Sequence, residues 1–296
     1  MCYKRIPMEF PNYFADANAD FKDATFVIMG VPYDKTSSFR CGASQAPATI
    51  RQASWNFETY DLRTHIDLSN ISIHDFGDLT VKNTSPATMI KKVNETTTHI
   101  LENHKFPLLL GGEHAATIGA IQAFPNNITI LALDAHLDYR DQYNEEQYNH
   151  ACVIRRLAEH VDIENIIVVG IRSAEKEEYD EAKKHNLYFI DAFTVQKIGI
   201  TEVLHTIEKK IGSNPLYLTL DIDVVDPAYA PGTSTPEPFG LQPFEILSCI
   251  EWFSPQLIGF DLVEVCPPYD NGETSLLAAK LVRSTIGTVW QKKTNK

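Results

Sequence analysis

The sequence has little that would mark a secreted, membrane-spanning or nucleic-acid-binding protein. Its five cysteines are scattered, odd in number and form no CxxC pair, which argues against a disulfide framework. No apolar stretch approaches the roughly 18 residues needed to span a bilayer. Basic residues number 26 against 39 acidic ones, and the net charge of −13 argues against a general nucleic-acid binder. An acidic chain suits a small cationic substrate.

The chain also lacks the features that separate domains or direct export. It has no linker rich in proline, glycine or serine, no internal repeat and no low-complexity tract. The first residues lack the apolar central stretch of a signal peptide. We therefore expect one domain over residues 1–296, in a soluble cytoplasmic protein that binds neither nucleic acid nor membranes.

Short β-rich runs alternate with helical patterns from end to end. Apolar runs such as residues 130–133 are typical of strands buried on both faces. This alternation predicts an α/β fold with a mostly parallel central sheet and helices on both faces. In such sheets, ligands bind beyond the carboxyl ends of the strands. The predicted strands cover residues 24–32, 107–110, 128–133, 166–170, 187–190, 216–220 and 257–261. The predicted helices cover residues 47–56, 86–103, 114–124, 149–160, 176–185, 201–211, 243–253 and 274–290.

Two motifs place metal-type ligands directly after predicted strands. Asp134, His136 and Asp138 alternate in a DxHxD motif, and Asp221 and Asp223 form a DxD motif. Alternate side chains of an extended chain point to one side, so each motif can face one point. Carboxylates gathered in this way repel each other unless a cation neutralises them. An isolated aspartate is more often a cap or a solvated charge, but the combination indicates a metal site.

A third stretch, GGEH, follows the strand predicted at 107–110. Its glycines permit a tight turn, after which His114 begins a helix at the same edge of the sheet. Carboxylates and imidazoles without thiolates suit Mn²⁺, with Co²⁺, Zn²⁺ or Fe²⁺ as alternatives. Two ions about 3.5–4 Å apart can activate a shared water as a nucleophile. The predicted ligands, enough for two ions, are His114, Asp134, His136, Asp138, Asp221 and Asp223.

These motifs carry a family resemblance. GGEH, DAHLDYRD, LDIDVVDP and the segment 261–270, DLVEVCPPYD, resemble the ureohydrolase family, which includes arginase and agmatinase. The resemblance extends from about residue 27 to residue 270. It implies a three-layer α/β/α fold, a binuclear manganese centre and hydrolysis of guanidinium groups to urea. The metal ligands of the family map onto the six residues named above.

The resemblance adds three site residues. His150 matches a histidine that shuttles protons near the leaving amine, which needs a proton in order to depart. Glu264 matches the acid that binds the substrate guanidinium, a group suited to bidentate carboxylate pairing. Thr235 matches a threonine near that guanidinium. The implied catalytic residues are His150, Asp138 and Glu264, and the implied substrate-binding residues are Glu264 and Thr235.

Two stretches depart from the pattern of the family. Glu113 stands where many relatives have aspartate, a change that we expect to be tolerated. In residues 40–47, Cys41 replaces a proline and Ser44-Gln45 replace Arg-Phe. This segment borders the active-site mouth in relatives, so its effect on the choice of substrate stays open.

The loop after Asp138 favours the agmatinase branch. Its DYRD stretch, which contains Arg140, is similar to that of agmatinases, and it lacks the pattern with which arginase-like sequences bind an amino-acid carboxylate. We expect an agmatinase that forms putrescine and urea for polyamine biosynthesis, with a small cationic guanidine as its substrate. Other substrates stay open, namely aminopropylagmatine, guanidinobutyrate, arginine and formiminoglutamate, and Arg140 is the reason to keep those that bear a carboxylate.

Two alternatives from other classes also follow from the residues. One is a metal-bound regulatory protein without turnover, against which the complete set of ligands argues. The other is a two-metal phosphatase, in which Glu264 would repel the phosphate. The family further implies a homo-oligomer, commonly a trimer or a hexamer.

Overall fold

The computed structural model describes residues 11–294. Within them, eight strands form one sheet in which every neighbouring pair is parallel, and two short strands form a separate antiparallel hairpin. The strands are β1 (Phe26–Val31), β2 (Tyr60–Asp61), β3 (Ile66–Asp67), β4 (Ile73–Asp78), β5 (Phe106–Gly111), β6 (Thr129–Leu133), β7 (Ile166–Ile171), β8 (Tyr188–Asp191), β9 (Leu216–Asp221) and β10 (Leu257–Val263).

The described residues also form nine α-helices, which cover both faces of the sheet. None of these helices combines the length and the hydrophobicity that a membrane crossing requires. The helices are α1 (Ala46–Ser54), α2 (Pro86–Glu102), α3 (Ala116–Ile121), α4 (Val153–Leu157), α5 (Lys176–Lys184), α6 (Ala192–Ile198), α7 (Ile200–Ile211), α8 (Pro243–Phe253) and α9 (Glu273–Thr294).

Strand side chains alternate between two apolar cores. In β1, Phe26 and Ile28 pack into the core shared with α1 and with α6 to α9. Val27 and Met29 point the other way, into the core shared with α2 to α5. The alternation follows from the two-residue repeat of a strand, and coverage of both faces explains the continuous apolar runs. The predicted three-layer α/β/α fold with a mostly parallel sheet is confirmed.

Local signals set the bounds of several helices. The Ser85 hydroxyl accepts a hydrogen bond from the Thr88 N–H at 3.3 Å, and Pro86 occupies the first turn of α2. Gly199 separates α6 from α7 with a φ of 82°, a conformation that glycine adopts without strain. These signals are local, and they place both ends of most helices close to their predicted positions.

The order of strands across the sheet is β4-β1-β5-β10-β9-β6-β7-β8. Consecutive strands β5 and β6 are therefore separated by β10 and β9, which come last in the chain. All strands of a parallel sheet end at the same edge, so the loops after β5, β10, β9 and β6 lie side by side. These are the loops that carry the predicted metal ligands.

Some elements differ from their sequence-based predictions. The prediction missed β4, because its polar sequence, IHDFGD, lacks the apolar run of a buried strand. Helix α3 begins at Ala116 and not at residue 114, because residues 113–115 form a turn. The helix predicted at 149–160 is a 3₁₀ turn, His150–Cys152, followed by α4, since the Asn149 side chain caps the turn at the Ala151 N–H.

A buried ion pair ties β4 to α1. Arg51 Nε and Nη2 donate to the two carboxylate oxygens of Asp75 at 2.7 and 2.9 Å, and Nη1 donates to Asp78. The Phe14 N–H also donates to Asp75, at 2.7 Å. Burial alone lowers the pKa of Arg51, but its bonds to Asp75 outweigh burial and raise that pKa. The polar edge strand is therefore held by side-chain bonds.

Substitution Arg51→Ala should destabilise the fold strongly. Removing one partner of a buried pair leaves the other charge unpaired, at a cost of about 3–5 kcal/mol. We expect that loss in the free energy of unfolding, measured by urea denaturation. Lys91→Ala serves as a control, because Lys91 and Glu95 form an exposed pair, and it should leave stability nearly unchanged. Equal stability of the two variants would contradict the assigned role of Arg51.

Candidate metal centre

Loops after three central strands carry the first ligands. His114 follows β5, Asp134 follows β6 directly, and Asp221 is the last residue of β9. Gly112 allows the loop after β5 to pack closely against the backbone of Tyr33, because a Cβ at position 112 would lie 2.0 Å from the Tyr33 carbonyl oxygen. The close approach places His114 among the carboxylates.

Two clusters of ligand atoms share one carboxylate. His114, Asp134 and Asp221 form the first cluster, and Asp134, His136 and Asp223 form the second, each with atoms within 4.8 Å of one another. His114 Nδ1 lies 3.1 Å from Asp134 Oδ2 and 3.5 Å from Asp221 Oδ2. His136 Nδ1 lies 3.0 Å from Asp223 Oδ2 and 3.7 Å from Asp134 Oδ1. The arrangement offers two adjacent cation sites bridged by Asp134.

Asp138 adds a further carboxylate to the first cluster. Its Oδ2 lies 3.1 Å from His114 Nδ1. Its φ of 47° is in the left-handed region, which residues other than glycine seldom adopt. This conformation turns the chain so that the Asp138 side chain faces the cluster. The structure thus brings all six predicted ligands together.

The ligands converge through turns and not through the extended chain assumed from their alternate spacing. The His136 N–H donates to Asp134 Oδ1 at 2.6 Å, and the Asp223 N–H donates to Asp221 Oδ1 at 2.9 Å. Each bond closes a tight turn at the end of a strand. Asp223 lies within a short 3₁₀ helix, Ile222–Val224. The predicted ligands therefore lie close together, but Asp223 does so from a 3₁₀ helix and not from the extended chain assumed from its spacing.

A chain of hydrogen bonds orients His114 as a ligand. Asp261 Oδ2 accepts the Tyr217 hydroxyl proton at 2.8 Å, and Oδ1 accepts the Thr219 hydroxyl proton at 2.6 Å. Because the single proton of Thr219 is committed, its oxygen accepts from His114 Nε2–H at 3.0 Å. The lone pair of Nδ1 then faces carboxylate oxygens, an arrangement that a cation between them stabilises.

The electrostatics of the clusters also call for positive charge. Asp134 is fully buried, and its Oδ2 has no hydrogen-bond partner. Burial, with the charge of Asp134 as the next largest cause, raises the pKa of Asp138 to about 7. Burial likewise raises the pKa of Asp221 well above its ordinary value, with Asp223 adding to the effect. Two imidazoles and four carboxylates therefore fit a pair of divalent cations, which would keep all four aspartates ionised.

Glu264 has one carboxylate oxygen bound and the other one free. Oε1 accepts the His114 N–H at 2.7 Å, whereas Oε2 is buried without a hydrogen-bond partner. The residue directly follows β10 and has a φ of 63°, again in the left-handed region. Burial raises the pKa of Glu264 to about 7. A free carboxylate oxygen on a cavity wall suits a cationic ligand.

His150 and Thr235 line the same cavity as Glu264, a space of about 280 Å³. Burial, with the charge of His136 as the next largest cause, lowers the pKa of His150 to about 4. Thr235 Oγ1 donates to Asp223 Oδ2 at 3.2 Å. Seven of the nine predicted site residues line this cavity, and the other two, His114 and Asp134, contact them. The roles of all nine stay predictions.

At the outer rim of the cavity, two glutamates offset the charge of Arg140. Arg140 Nη1 lies 3.3 Å from Glu175 Oε2, and its Nε lies 3.6 Å from Glu178 Oε2. The guanidinium also stacks 4.7 Å above the ring of Tyr143. Glu175 begins α5, on a loop for which the sequence predicted no role in the site.

The divergent segment 40–47 packs beside the site. Gly42 N–H and Ser44 Oγ both donate to Asp34 Oδ2, at 2.9 and 3.0 Å. Arg40 Nη1 donates to the Pro231 carbonyl at 3.0 Å. These bonds hold the segment against neighbouring loops. Ser38, in the loop just before the segment, lines the cavity wall.

Sequence reasoning missed Thr219 and Asp261, which support His114 and contact no predicted substrate atom. Asp261 did carry a signal, because it is a fully buried acid within the apolar strand β10. A buried acid in an apolar run requires hydrogen-bond donors, and these are Tyr217 and Thr219. Their identity depends on the neighbouring strand and cannot be read along the chain.

The arginase family model matches residues 24–287. The chain belongs to the arginase family. The N(1)-aminopropylagmatine ureohydrolase of Thermococcus kodakarensis is 36% identical over 291 residues, which cover 97% of this chain and 96% of that protein. The agmatinase of Bacillus subtilis is 34% identical over 281 residues, covering 92% and 94%. The crystal structure of the agmatine ureohydrolase of Thermoplasma volcanium matches with a TM-score of 0.92 and 37% identity, covering 97% of each chain.

These matches establish the chemical class of this arginase-family member. It is an agmatinase-like ureohydrolase that acts on guanidino compounds. The prediction of the family and of the type of enzyme is confirmed.

Substitution Thr219→Val should weaken metal binding while preserving the shape of the side chain. Loss of a group that orients a metal ligand typically reduces metal affinity about 10–100-fold. We expect a decrease of that size in Mn²⁺ affinity, measured by competition with a chelator. Thr219→Ser keeps the hydroxyl and should bind like the wild type. Equal Mn²⁺ affinity of the valine variant and the wild type would contradict the assigned role of Thr219.

Proposed function

We propose that this protein hydrolyses agmatine to putrescine and urea, with two Mn²⁺ ions per chain. The observation that carries the proposal is the free Oε2 of Glu264, buried beside the two imidazole–carboxylate clusters. Asp134, Asp138, Asp221 and Asp223 together balance the charge of two divalent cations. Glu264 then remains to balance one guanidinium.

The donor atoms support manganese. Nitrogen from two imidazoles and oxygen from four carboxylates form a mixed set that suits Mn²⁺. His114, Asp134, Asp138 and Asp221 would hold the first ion, and His136 and Asp223 would join Asp134 in holding the second. When bound, the two ions supply a water of lowered pKa as the nucleophile.

The residues of the chain orient the substrate and move its protons. Glu264 binds the guanidinium N–H groups, with Thr235 beside them, and turns the central carbon toward the clusters. Asp138 accepts a hydrogen bond from the attacking water, whose oxygen bonds to that carbon. The bond from the carbon to the alkyl-bearing nitrogen then breaks, and His150 relays the proton that the water gives up to this departing amine, which leaves as putrescine while the carbon leaves as urea.

The rim of the cavity favours a substrate with a cationic tail. Glu175 and Glu178 already offset the charge of Arg140, so a carboxylate tail meets no free cation there. Glu175 is 60% exposed in its side chain and can attract an ammonium group. Aminopropylagmatine is a second candidate substrate, because it carries a further amine and a relative named for this substrate covers nearly the whole chain.

Urea release from agmatine tests the proposal directly. Purified full-length protein loaded with Mn²⁺ should release urea and putrescine in equal amounts. Asp221→Ala should abolish the release, because it removes a carboxylate from the first cluster. If wild-type protein released no more urea from agmatine than Asp221→Ala did, agmatine would be excluded as a substrate.

A substrate panel tests the preference for a cationic tail. We expect higher kcat/KM for agmatine and aminopropylagmatine than for guanidinobutyrate and arginine. Glu175→Gln removes one of the two carboxylates that offset the charge of Arg140, so the ratio of kcat/KM for agmatine to that for guanidinobutyrate should fall about two- to fivefold, as is typical of an exposed ion pair. Glu95→Gln, a substitution at an exposed position on α2, is the control and should leave the ratio unchanged. A ratio that rises in Glu175→Gln would contradict this role of the rim.

A further inference from the structure

Thr36 lies behind His150, in the loop that follows β1. Its hydroxyl oxygen lies 3.2 Å from His150 Nδ1 and also accepts the His150 N–H at 3.1 Å. A single hydroxyl thus contacts both the backbone and the ring of the same histidine. Neither the sequence motifs nor the proposed mechanism assigns this threonine a role.

Glu113 in turn fixes Thr36. The Thr36 N–H donates to Glu113 Oε2 at 2.7 Å, and the Thr36 hydroxyl lies 2.9 Å from Oε1. Glu113 is fully buried, and its own N–H donates to the Tyr33 carbonyl at 2.8 Å. The threonine is therefore held at two points by a side chain that is itself immobilised. The two oxygens of the Glu113 side chain thus reach both polar atoms of Thr36.

The orientation of the His150 ring does not depend on where the shared protons lie. If Glu113 is ionised, it accepts the Thr36 proton, and His150 Nδ1–H donates to Thr36. If Glu113 is protonated, it donates to Thr36, which then donates to Nδ1. In both cases Nδ1 is bound to Thr36, and Nε2 is the nitrogen left for Ser38, 3.2 Å away, and for the cavity.

Apart from Thr36 and Ser38, few contacts restrain the ring of His150. His150 begins a 3₁₀ turn of three residues, and its ring meets Tyr143 edge-on at 6.0 Å between ring centres. A proton-transfer group must lie within hydrogen-bond reach of its target, and misplacement by 1 Å can cost about 100-fold in rate. The bond to Thr36 supplies the restraint that the short turn lacks.

We propose that Thr36, clamped by Glu113, is a positioning residue that holds the His150 imidazole in place for proton transfer to the departing amine. The inference rests on the proposed function, because it needs His150 to act in that reaction. Thr36 does not line the cavity and so acts through His150.

Matched substitutions at Thr36 provide the first test, on the full-length Mn²⁺-loaded protein with agmatine. Thr36→Val keeps the volume and removes the hydroxyl, and it should lower kcat about 10- to 100-fold. KM and the bound Mn²⁺ should stay within about twofold of the wild type, because Thr36 touches neither the substrate nor the metal clusters. Thr36→Ser keeps the hydroxyl and should restore kcat. Equal rates for Thr36→Val and the wild type would overturn the inference and leave the proposed function standing.

A double-mutant cycle separates positioning from a general structural effect. If Thr36 acts through His150, Thr36→Val should not lower kcat further in a His150→Asn background. A full additional loss in that background would show that Thr36 acts elsewhere and would overturn the inference. Wild-type protein that releases no urea from any guanidine in the panel would overturn the proposed function and the inference together.

Discussion

Repulsion among buried carboxylates is the constraint on which the candidate site depends. Asp134 is fully buried, and it belongs to both clusters, where it lies beside the other carboxylates. Asp138 and Asp221 resist ionisation in this setting, as their raised pKa values show. Divalent cations remove the conflict, because one ion can neutralise two carboxylates at once. The geometry of the site is therefore inseparable from the positive charge that it is built to hold.

Supporting bonds from neighbouring strands and loops give the site its shape. Asp261 and Thr219 fix the ring of His114 on one side, through strands β10 and β9. On the other side, Glu113 and Thr36 hold His150. Both chains of bonds end in a buried carboxyl group that is hydrogen-bonded at both of its oxygens. The same chemical device thus orients a metal-type ligand and the residue proposed to transfer protons.

The sequence was sufficient for the architecture and for nominating the candidate ligands, because both leave periodic traces along the chain. Alternating elements predicted the parallel sheet, and alternate spacing predicted that Asp134 and His136 converge. His150 and Glu264 needed the family resemblance, since each is a single residue that belongs to no spaced motif. Strand β4 escaped prediction because its sequence is polar, and bonds from Arg51 on α1 add to its pairing with β1. The hydrogen bonds of Thr36 join three loops that are distant along the chain, so no local sequence pattern predicts them.

The position of β9 and β10 at the centre of the sheet has a consequence for synthesis of the chain. Translation delivers β1 to β8 first, when β5 and β6 still lack the neighbours that later separate them. The emerging chain therefore exposes two unpaired apolar strand edges until residue 263 has left the ribosome. Glu264, which binds the backbone of His114 from 150 residues away, follows immediately. A chain interrupted before this point has no complete site and presents two edges prone to aggregation.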